Sequence, residues 1–153
     1  MIAVPVAIAI GSNLGDRAHY LRDAAQRLSA LVVDLELSPF FETDPVGVGD
    51  QPTFLNGAIV GRCRLTAVRL LESMLKIETA CGRVRAGTGA ARTLDLDLIL
   101  YGNETIDEPG LVVPHPRFRE RRFVLEPLAL VAGHWRDPLT GFTVAELLAR
   151  LPG

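Results

Sequence analysis

Two aspartates that lie two positions apart, Asp95 and Asp97, are the residues of this chain best suited to bind a metal. The residues between and around them with the opposite parity are leucines, namely Leu94, Leu96, Leu98 and Leu100. A β-strand here therefore places both carboxylates on one face and the leucines on the other. The Cα atoms of the two aspartates would be about 6 to 7 Å apart, close enough to bind one hard cation or to bridge two. The alternative is an amphipathic strand with a solvated acidic face.

Arginine is concentrated near this strand in the sequence. Every basic residue except Lys76 is an arginine, and seven of them fall in two short runs: Arg83, Arg85 and Arg92, then Arg117, Arg119, Arg121 and Arg122. The planar guanidinium group matches phosphate oxygens, so two local runs indicate a small polyanionic ligand. The net charge of -2 argues against a general nucleic-acid binder. The arginines could instead be solvated surface residues.

His115 lies between two prolines, which predicts a rigid segment. It could donate a hydrogen bond to a phosphate or simply fix its loop. The chain contains neither the P-loop pattern nor the dinucleotide fingerprint. If a triphosphate binds, we therefore expect metal and arginine to hold it rather than a glycine-rich loop.

The hydrophobic pattern predicts a strand at 4–10, a helix after the turn at 11–16, and a second strand in which Val33, Leu35 and Leu37 face one way. The prolines and glycines of 42–52 predict a segment without regular structure. A strand at 54–62, a helix that begins after Thr66 and ends at Gly82, and the aspartate strand follow. The order βαββαβ predicts an α+β ferredoxin-like core, with two helices on one sheet face and the other face free.

After this core, Gly102-Asn103 predicts a turn that carries the aspartate strand into a hairpin with 105–106. The apolar residues between Phe123 and Val131 predict helical turns interrupted near Pro127. Thr143 and Glu146 have the spacing of a capping box, which predicts a short final helix. The expected fold is thus a ferredoxin-like core with a C-terminal hairpin and short helices.

Length and composition limit the kinds of protein to which this chain can belong. At 153 residues and 48% hydrophobic, the chain is predicted to form one domain over 1–153. No apolar run approaches the roughly 20 residues of a membrane span, and the first residues lack the basic region of a signal peptide. We therefore expect a cytoplasmic protein with no membrane partner. Cys63 and Cys81 lack metal-ligand spacing and are predicted to be small buried side chains.

Taken together, the motifs resemble those of the 6-hydroxymethyl-7,8-dihydropterin pyrophosphokinase family. The resemblance rests on GSNLGDR at 11–17, DQP at 50–52 with FLN at 54–56, GRVR at 82–85, RTLDLD at 92–97, and PHP at 114–116 with Arg121 and Phe123. It spans nearly the whole chain in the right order. It implies a ferredoxin-like α+β fold and transfer of diphosphate from ATP to the hydroxymethyl group of 6-hydroxymethyl-7,8-dihydropterin. AMP would be released, in folate biosynthesis.

The resemblance also implies roles for the residues on the ATP side. Asp95 and Asp97 would ligate two Mg²⁺ ions that bridge the ATP phosphates. The residues that would contact or lie near the nucleotide are Glu78, Arg83, Arg92, His115 and Arg121. Arg85 would lie on the mobile loop. The implied catalytic set is Arg83, Arg85, Arg92, Asp95 and Asp97.

On the pterin side, the resemblance implies that Phe54 and Phe123 sandwich the flat ring. Asn56 and the chain around Thr43, Asp44 and Val46 would bind its polar edge. Without the resemblance, the two phenylalanines would be taken for ordinary core aromatics. The partners would be the two small substrates, with no nucleic acid, and the protein would be a monomer.

The segment 83–92 departs from the family pattern, because it is one residue shorter than in many relatives and lacks an aromatic residue. Its small residues predict that it orders over the site only when both substrates are bound. Two other readings of the chain remain open at this point. One is a Mg²⁺-dependent nucleotidyltransferase, although Ser12 and Asp95 lie much farther apart than in that class. The other is a non-enzymatic ferredoxin-like ligand-binding domain.

Overall fold

The structure is a computed structural model, and it describes residues 2–43, 52–82 and 93–153. Its strands are β1 (Val4–Ser12), β2 (Val32–Leu37), β3 (Phe41–Thr43), β4 (Phe54–Cys63), β5 (Asp95–Tyr101), β6 (Ile106–Glu108) and β7 (Leu111–Val113). Its helices are α1 (Arg17–Leu28), α2 (Ala67–Ala80), α3 (Arg122–Ala132) and α4 (Val144–Ala149), with a short 3-10 turn at Phe118–Glu120.

Five strands form one antiparallel sheet in the order β2-β4-β1-β5, and β3 pairs with β4 as well. β1 lies inside the sheet and pairs with β4 on one side and β5 on the other. Its apolar run is continuous because both of its faces are covered. The predicted mixture of helices with an antiparallel sheet is confirmed.

Helices cover both faces of this sheet. On one face, Ile8 packs with Leu70 and the other buried residues of α1 and α2. On the other face, Val60 packs with Leu125 and Leu128 of α3. The expectation of a free second face is therefore wrong. The C-terminal helices bury an apolar stripe there.

A bulge in β2 overturns the predicted inward position of Val33, whereas Leu35 and Leu37 pack against the core as predicted. Asp34 has a positive φ of 56°, and the pairing with β4 shifts register between Val33 and Glu36. Val32 is buried while Val33 is exposed, the reverse of the predicted pattern. A bulge adds one residue and so exchanges the two faces on either side of it.

A second bulge interrupts the leucine face of β5. The pairing with β1 shifts between Ala7 and Ile8, which lie opposite Leu100 and Leu98. Leu96 and Leu98 pack under α1 and α2 as predicted, but Leu100 packs on the α3 side. The prediction that all four leucines share a face is wrong for Leu100, because strict alternation ends at the bulge.

Two local predictions about strands also need correction. Part of the segment expected to be irregular forms β3, whose residues Phe41–Thr43 pair with β4. The predicted hairpin between the aspartate strand and 105–106 is wrong, because β6 pairs with β7 through a turn at Gly110 and β5 pairs with β1. Propensity identified the turns, whereas the choice of pairing partner depended on the rest of the fold.

The helix ends follow the sequence closely. Thr66 caps α2 by accepting a hydrogen bond from the Arg69 N–H group, and Gly82 follows the helix with a φ of 81°. Thr143 and Glu146 form the predicted capping box of α4.

α3 differs from its prediction, because it continues through Pro127 without a break. Pro127 is buried, and the packing of α3 on the sheet compensates for the one helical hydrogen bond that proline cannot donate. Both cysteines are free and buried, as predicted. Among the described residues, no helix has the length and apolar character needed to span a membrane.

Candidate active site

Three neighbouring strands bring the predicted site residues into one row. Asp95 on β5 lies directly opposite Gly11 on β1, and Gly11 lies opposite Asn56 on β4. Residues directly opposite one another share a sheet face. Asp97 lies one step along that face, opposite Ala9. The two carboxylates thus lie on the α3 face, beside positions that carry no side chain or a small one.

Gly11 lies at the centre of this row, and its missing side chain creates the space between Asp95 and Asn56. A Cβ atom at Gly11 would lie 3.0 Å from Asn56 Oδ1 and 3.6 Å from Phe54 Cδ1. The first distance is tighter than ordinary packing allows. The glycine therefore lets the side chains of Phe54 and Asn56 approach its backbone, which forms the floor of the site.

The amide of Asn56 is held in one orientation. Its Nδ2 atom donates a hydrogen bond to Thr43 Oγ1 at 2.6 Å, across the β3–β4 pair. Asn56 is buried, with 5% of its surface exposed. Thr43 lies opposite Phe54 in the same pair. Three of the residues predicted to bind the pterin are therefore in contact or directly adjacent.

His115 is tied to the aspartate strand through its backbone, since its N–H group donates to the Ile99 carbonyl at 3.1 Å. Its Nδ1 atom accepts a hydrogen bond from the Arg117 N–H group at 3.2 Å. A neutral imidazole with Nδ1 as acceptor carries its proton on Nε2. Burial lowers the pKa of His115 and nearby Arg121 lowers it further, while Asp95 opposes the shift. His115 is therefore a neutral donor at neutral pH.

The arginines of the second run differ in their partners. Arg117 pairs with Glu120, Arg119 pairs with the fully buried Asp137, and Arg122 pairs with Glu126. These pairs give each of the three guanidinium groups a carboxylate partner within the protein, and the binding of a polyanion by this run stays a prediction.

Arg121 is the member of this run that forms no ion pair within the described residues. Its guanidinium carbon lies 5.5 Å from the centroid of the Phe123 ring, a cation–π arrangement. Phe123 packs at the margin of the apolar cluster under α3 and remains partly exposed. Arg121 and Phe123 thus lie against each other at the beginning of α3. The charge of Arg121 remains available to an anion.

Glu78 lies on the other side of the sheet from the aspartates. It is buried in α2, with 2% of its surface exposed, and its Oε2 atom accepts the Leu96 N–H hydrogen bond at 2.8 Å. Leu96 is the residue between Asp95 and Asp97. The described contact of Glu78 therefore supports the aspartate strand, and its predicted place near the nucleotide stays a prediction.

Five of the predicted site residues lie outside the described residues: Asp44, Val46, Arg83, Arg85 and Arg92. The expected ordering of 83–92 over the site lies outside them as well.

Thr93 is a polar residue for which the sequence predicted no role. It lies two positions before Asp95, and its Oγ1 atom is buried without a hydrogen-bond partner. Buried hydroxyl groups are nearly always satisfied, so a bound ligand at this end of β5 is a natural partner for it. The orphan hydroxyl could not be found from sequence, because burial of one atom depends on the fold around it.

The described donor set matches one class of metal. Within the described residues, no group of three or more His, Cys, Asp and Glu side chains is gathered, so no all-protein cage is present there. Mg²⁺ is commonly held by one or two carboxylates together with substrate phosphates. Asp95 and Asp97, side by side with an orphan hydroxyl nearby, fit that pattern better than a structural zinc or calcium site.

The model of the family described as 7,8-dihydro-6-hydroxymethylpterin-pyrophosphokinase (HPPK) matches residues 7–133. The chain belongs to the HPPK family. Pyrophosphokinase activity in folate biosynthesis follows, and the family implies ATP and a hydroxymethyldihydropterin as substrates. The predicted family and reaction are therefore confirmed. This assignment replaces the two alternatives, a nucleotidyltransferase and a non-enzymatic binding domain.

Individual relatives agree with this assignment. The 2-amino-4-hydroxy-6-hydroxymethyldihydropteridine pyrophosphokinase of Bacillus subtilis is 48% identical over 124 residues, which are 80% of this chain and 74% of that protein. The Pseudomonas aeruginosa protein of the same name is 40% identical over 150 residues, with 96% of this chain and 91% of that protein covered.

A solved structure supports the fold. The wild-type HPPK-DHPS of Plasmodium falciparum superposes with a TM-score of 0.75 at 12% identity. The match covers 97% of this chain but only 44% of that longer chain. At this level of identity, the likeness concerns the HPPK-type fold alone.

Proposed function

We propose that Asp95 and Asp97 bind the Mg²⁺ ions of the reaction, together with the phosphates of ATP. The observation that carries this proposal is the row of Asp95, Gly11 and Asn56 across three strands, with Asp97 beside it. Two carboxylates on one strand face repel each other, and divalent cations relieve that repulsion. When bound, Mg²⁺ supplies positive charge that offsets the charge of the phosphates. Two ions are expected from the family resemblance.

We further propose that His115 and Arg121 hold the phosphates from the side of α3. Nδ1 of His115 already accepts a backbone hydrogen bond, which leaves Nε2–H to donate to a phosphate oxygen. Arg121 contributes a charge that no described carboxylate neutralises. Arg83 and Arg92, outside the described residues, remain proposed phosphate ligands, Arg85 a proposed catalytic residue, and Glu78 a residue near the nucleotide.

For the pterin, we propose a pocket formed by Phe54, Phe123, Asn56 and Thr43. The Thr43 hydroxyl group accepts from Asn56 Nδ2, so Asn56 Oδ1 is oriented toward the floor at Gly11. That oxygen would accept from an amino or ring N–H group of the pterin. Phenylalanine rings suit a flat heterocycle. Asp44 and Val46 remain proposed contacts of the same edge.

The arrangement serves the transfer mainly by positioning and charge. The pterin hydroxymethyl oxygen would be held near the β-phosphorus of ATP, and the bond from that phosphorus to the α-phosphate oxygen would break, releasing AMP. The side chains around the phosphates stabilise negative charge on the transferred group. His115 stays neutral and orients a phosphate oxygen rather than adding a full charge.

Calorimetry and product analysis test this assignment. An unhydrolysed ATP analogue should bind wild-type protein much more tightly with Mg²⁺ than without it, and Asp97→Asn should remove the difference. With ATP and the pterin, the product should be AMP. Release of diphosphate instead would indicate a nucleotidyltransferase. Analogue binding that ignores Mg²⁺ in the wild type would contradict the proposed metal site.

We also propose a fold class, a domain organisation, an oligomeric state and a location for this protein. A ferredoxin-like βαββαβ core is supported by the strand order β2-β4-β1-β5 and by the helices that follow β1 and β4. We propose that residues 1–153 act as one domain, because both apolar clusters pack on one sheet. The monomeric state that the family resemblance implies is likewise a proposal. A cytoplasmic location is proposed because ATP is the co-substrate.

A further inference from the structure

The segment 11–17 contains a residue to which the proposed site assigns no role. Arg17, the first residue of α1, follows the end of β1 and contacts residues at the neighbouring end of the β3–β4 pair. Its Nη1 atom donates to both the carbonyl and the Oγ1 atom of Thr53, each at 2.9 Å. Its Nη2 atom lies 2.7 Å from Glu42 Oε2. One guanidinium therefore joins two residues that belong to different strand ends.

The third side of this junction is closed directly. Thr53 Oγ1 donates to Glu42 Oε2 at 2.9 Å, while it accepts from Arg17. The hydrogen bonds from Arg17 and from Thr53 lower the pKa of Glu42, so its carboxylate stays charged at neutral pH. The three groups form a closed triangle in which every bond involves a charged partner or a shared hydroxyl.

The junction lies next to the proposed pterin pocket. Glu42 precedes Thr43 on β3, and Thr53 precedes Phe54 on β4. Thr43 and Phe54 lie directly opposite each other at the end of that strand pair. β3 has only three residues, so few backbone hydrogen bonds hold it in place. A side-chain link at its last residues matters more there than in a long strand.

We propose that Arg17 positions the pterin-binding end of the β3–β4 pair by linking Glu42 to Thr53. This inference rests on the proposed pterin pocket. Arg17 touches no proposed ligand group itself, so it is a positioning residue. Loss of the link would leave Thr43, and with it the Asn56 amide, less well fixed. Affinity for the pterin would fall, whereas the Mg²⁺ and phosphate ligands on β5 and α3 would be unaffected.

The test compares Arg17→Gln with Arg17→Lys and with a matched control, Arg27→Gln. Arg27 lies on the same helix and pairs with Asp23 at 3.1 Å, away from the β3–β4 end. We expect Arg17→Gln to raise the Kd of the pterin, measured with the ATP analogue and Mg²⁺ present, by about fivefold. The Kd of the ATP analogue, and kcat at saturating pterin, should stay within about twofold. Arg17→Lys should recover part of the loss, and Arg27→Gln should match wild type.

A purely structural role predicts other results. If Arg17→Gln weakens both substrates together, or lowers kcat as much as it raises the KM for the pterin, the positioning role is overturned. An unchanged pterin Kd also overturns it. Phe123→Ala separates this failure from failure of the pocket. If Phe123→Ala weakens the pterin and Arg17→Gln does not, only the role of Arg17 is wrong, and if neither does, the pocket is misplaced.

Discussion

The two faces of β5 show how one strand can carry both a core and a site. Leu96 and Leu98 point into the apolar layer under α1 and α2 and are almost fully buried. Asp95 and Asp97 point to the opposite face and are only half-buried. That opposite face becomes apolar again at Ile99 and Leu100, beyond the bulge. At the aspartate end of β5, apolar packing stabilises one face, whereas the other face presents charged groups that can bind a ligand.

This contrast indicates that substitutions only one or two positions apart in this strand can change stability without activity, or activity without stability. Substitutions on the leucine face remove contacts that the folded state needs. Substitutions on the aspartate face remove groups that the bound phosphates need. Variants on each face, and at the beginning of α3, therefore test this distinction.

The largest effect is expected at the aspartates. Asp95→Asn and Asp97→Asn should each lower the rate of AMP production by about 100-fold or more, because one charged ligand of the phosphate-bound cations is lost. The urea midpoint should change little. Steady-state kinetics over a Mg²⁺ titration measures the first quantity and equilibrium unfolding the second. Near-wild-type turnover in both variants would falsify the metal assignment.

The leucine face should give the opposite result. Leu98→Ala should lower the free energy of unfolding by about 3 kcal/mol, since it opens a cavity in a layer closed by two helices. Turnover per folded molecule, measured well below the unfolding transition, should stay near wild type. If turnover falls as far as in Asp97→Asn while the protein remains folded, the two faces are not separable.

Arg121 and Arg117 provide a matched pair within one run. Arg121→Ala should weaken binding of the Mg²⁺-loaded ATP analogue by about tenfold, because a charge-assisted hydrogen bond to phosphate is lost. Arg117→Ala should have no measurable effect, since Arg117 is exposed and paired with Glu120. Calorimetry on both variants decides the matter, and equal losses would mean that the ion pairs do not distinguish these residues.

A smaller effect is expected for Phe123→Ala. Stacking adds on the order of 1 kcal/mol beyond simple burial, so the affinity for the pterin should fall about fivefold. Binding of the ATP analogue should be nearly intact. Loss of both ligands together would show that the substitution disturbs α3 rather than one wall of the pocket.

The smallest effect concerns pH and His115. Its pKa is lowered in the folded state, so the unfolded chain binds a proton more readily. Without Mg²⁺ and ATP, the folded state should lose stability as pH falls below the ordinary histidine pKa of about 6.5, and His115→Asn should lose less. Urea unfolding of both proteins between about pH 5 and 8 tests this. The opposite slope would mean that Asp95 outweighs burial and Arg121.

Much of the fold was predictable because it depends on short-range patterns. The caps at Thr66 and Thr143 and the turn at Gly82 each involve residues within one helical turn. The alternation of Asp95 and Asp97 with leucines likewise needs only the period of a strand. These features were correct, and so was the family.

The errors have a common physical origin. The bulges that move Val33 outward and Leu100 to the α3 face depend on how two strands pair, which a single strand does not encode. The same holds for β3, whose three residues are stabilised by β4. Pro127 stays within α3 because tertiary packing outweighs the local preference against it.

The sequence alone was sufficient to identify the family, the reaction, the strand that carries Asp95 and Asp97, and the caps of α2 and α4. The tertiary structure alone decided which arginine of the second run remains available, because Arg119 finds its carboxylate on Asp137, 18 positions away. It likewise decided that Arg17 joins Thr53 across 36 positions. Local patterns are set by neighbours within a few residues, whereas the partner of a long charged side chain is set by what the fold brings within reach.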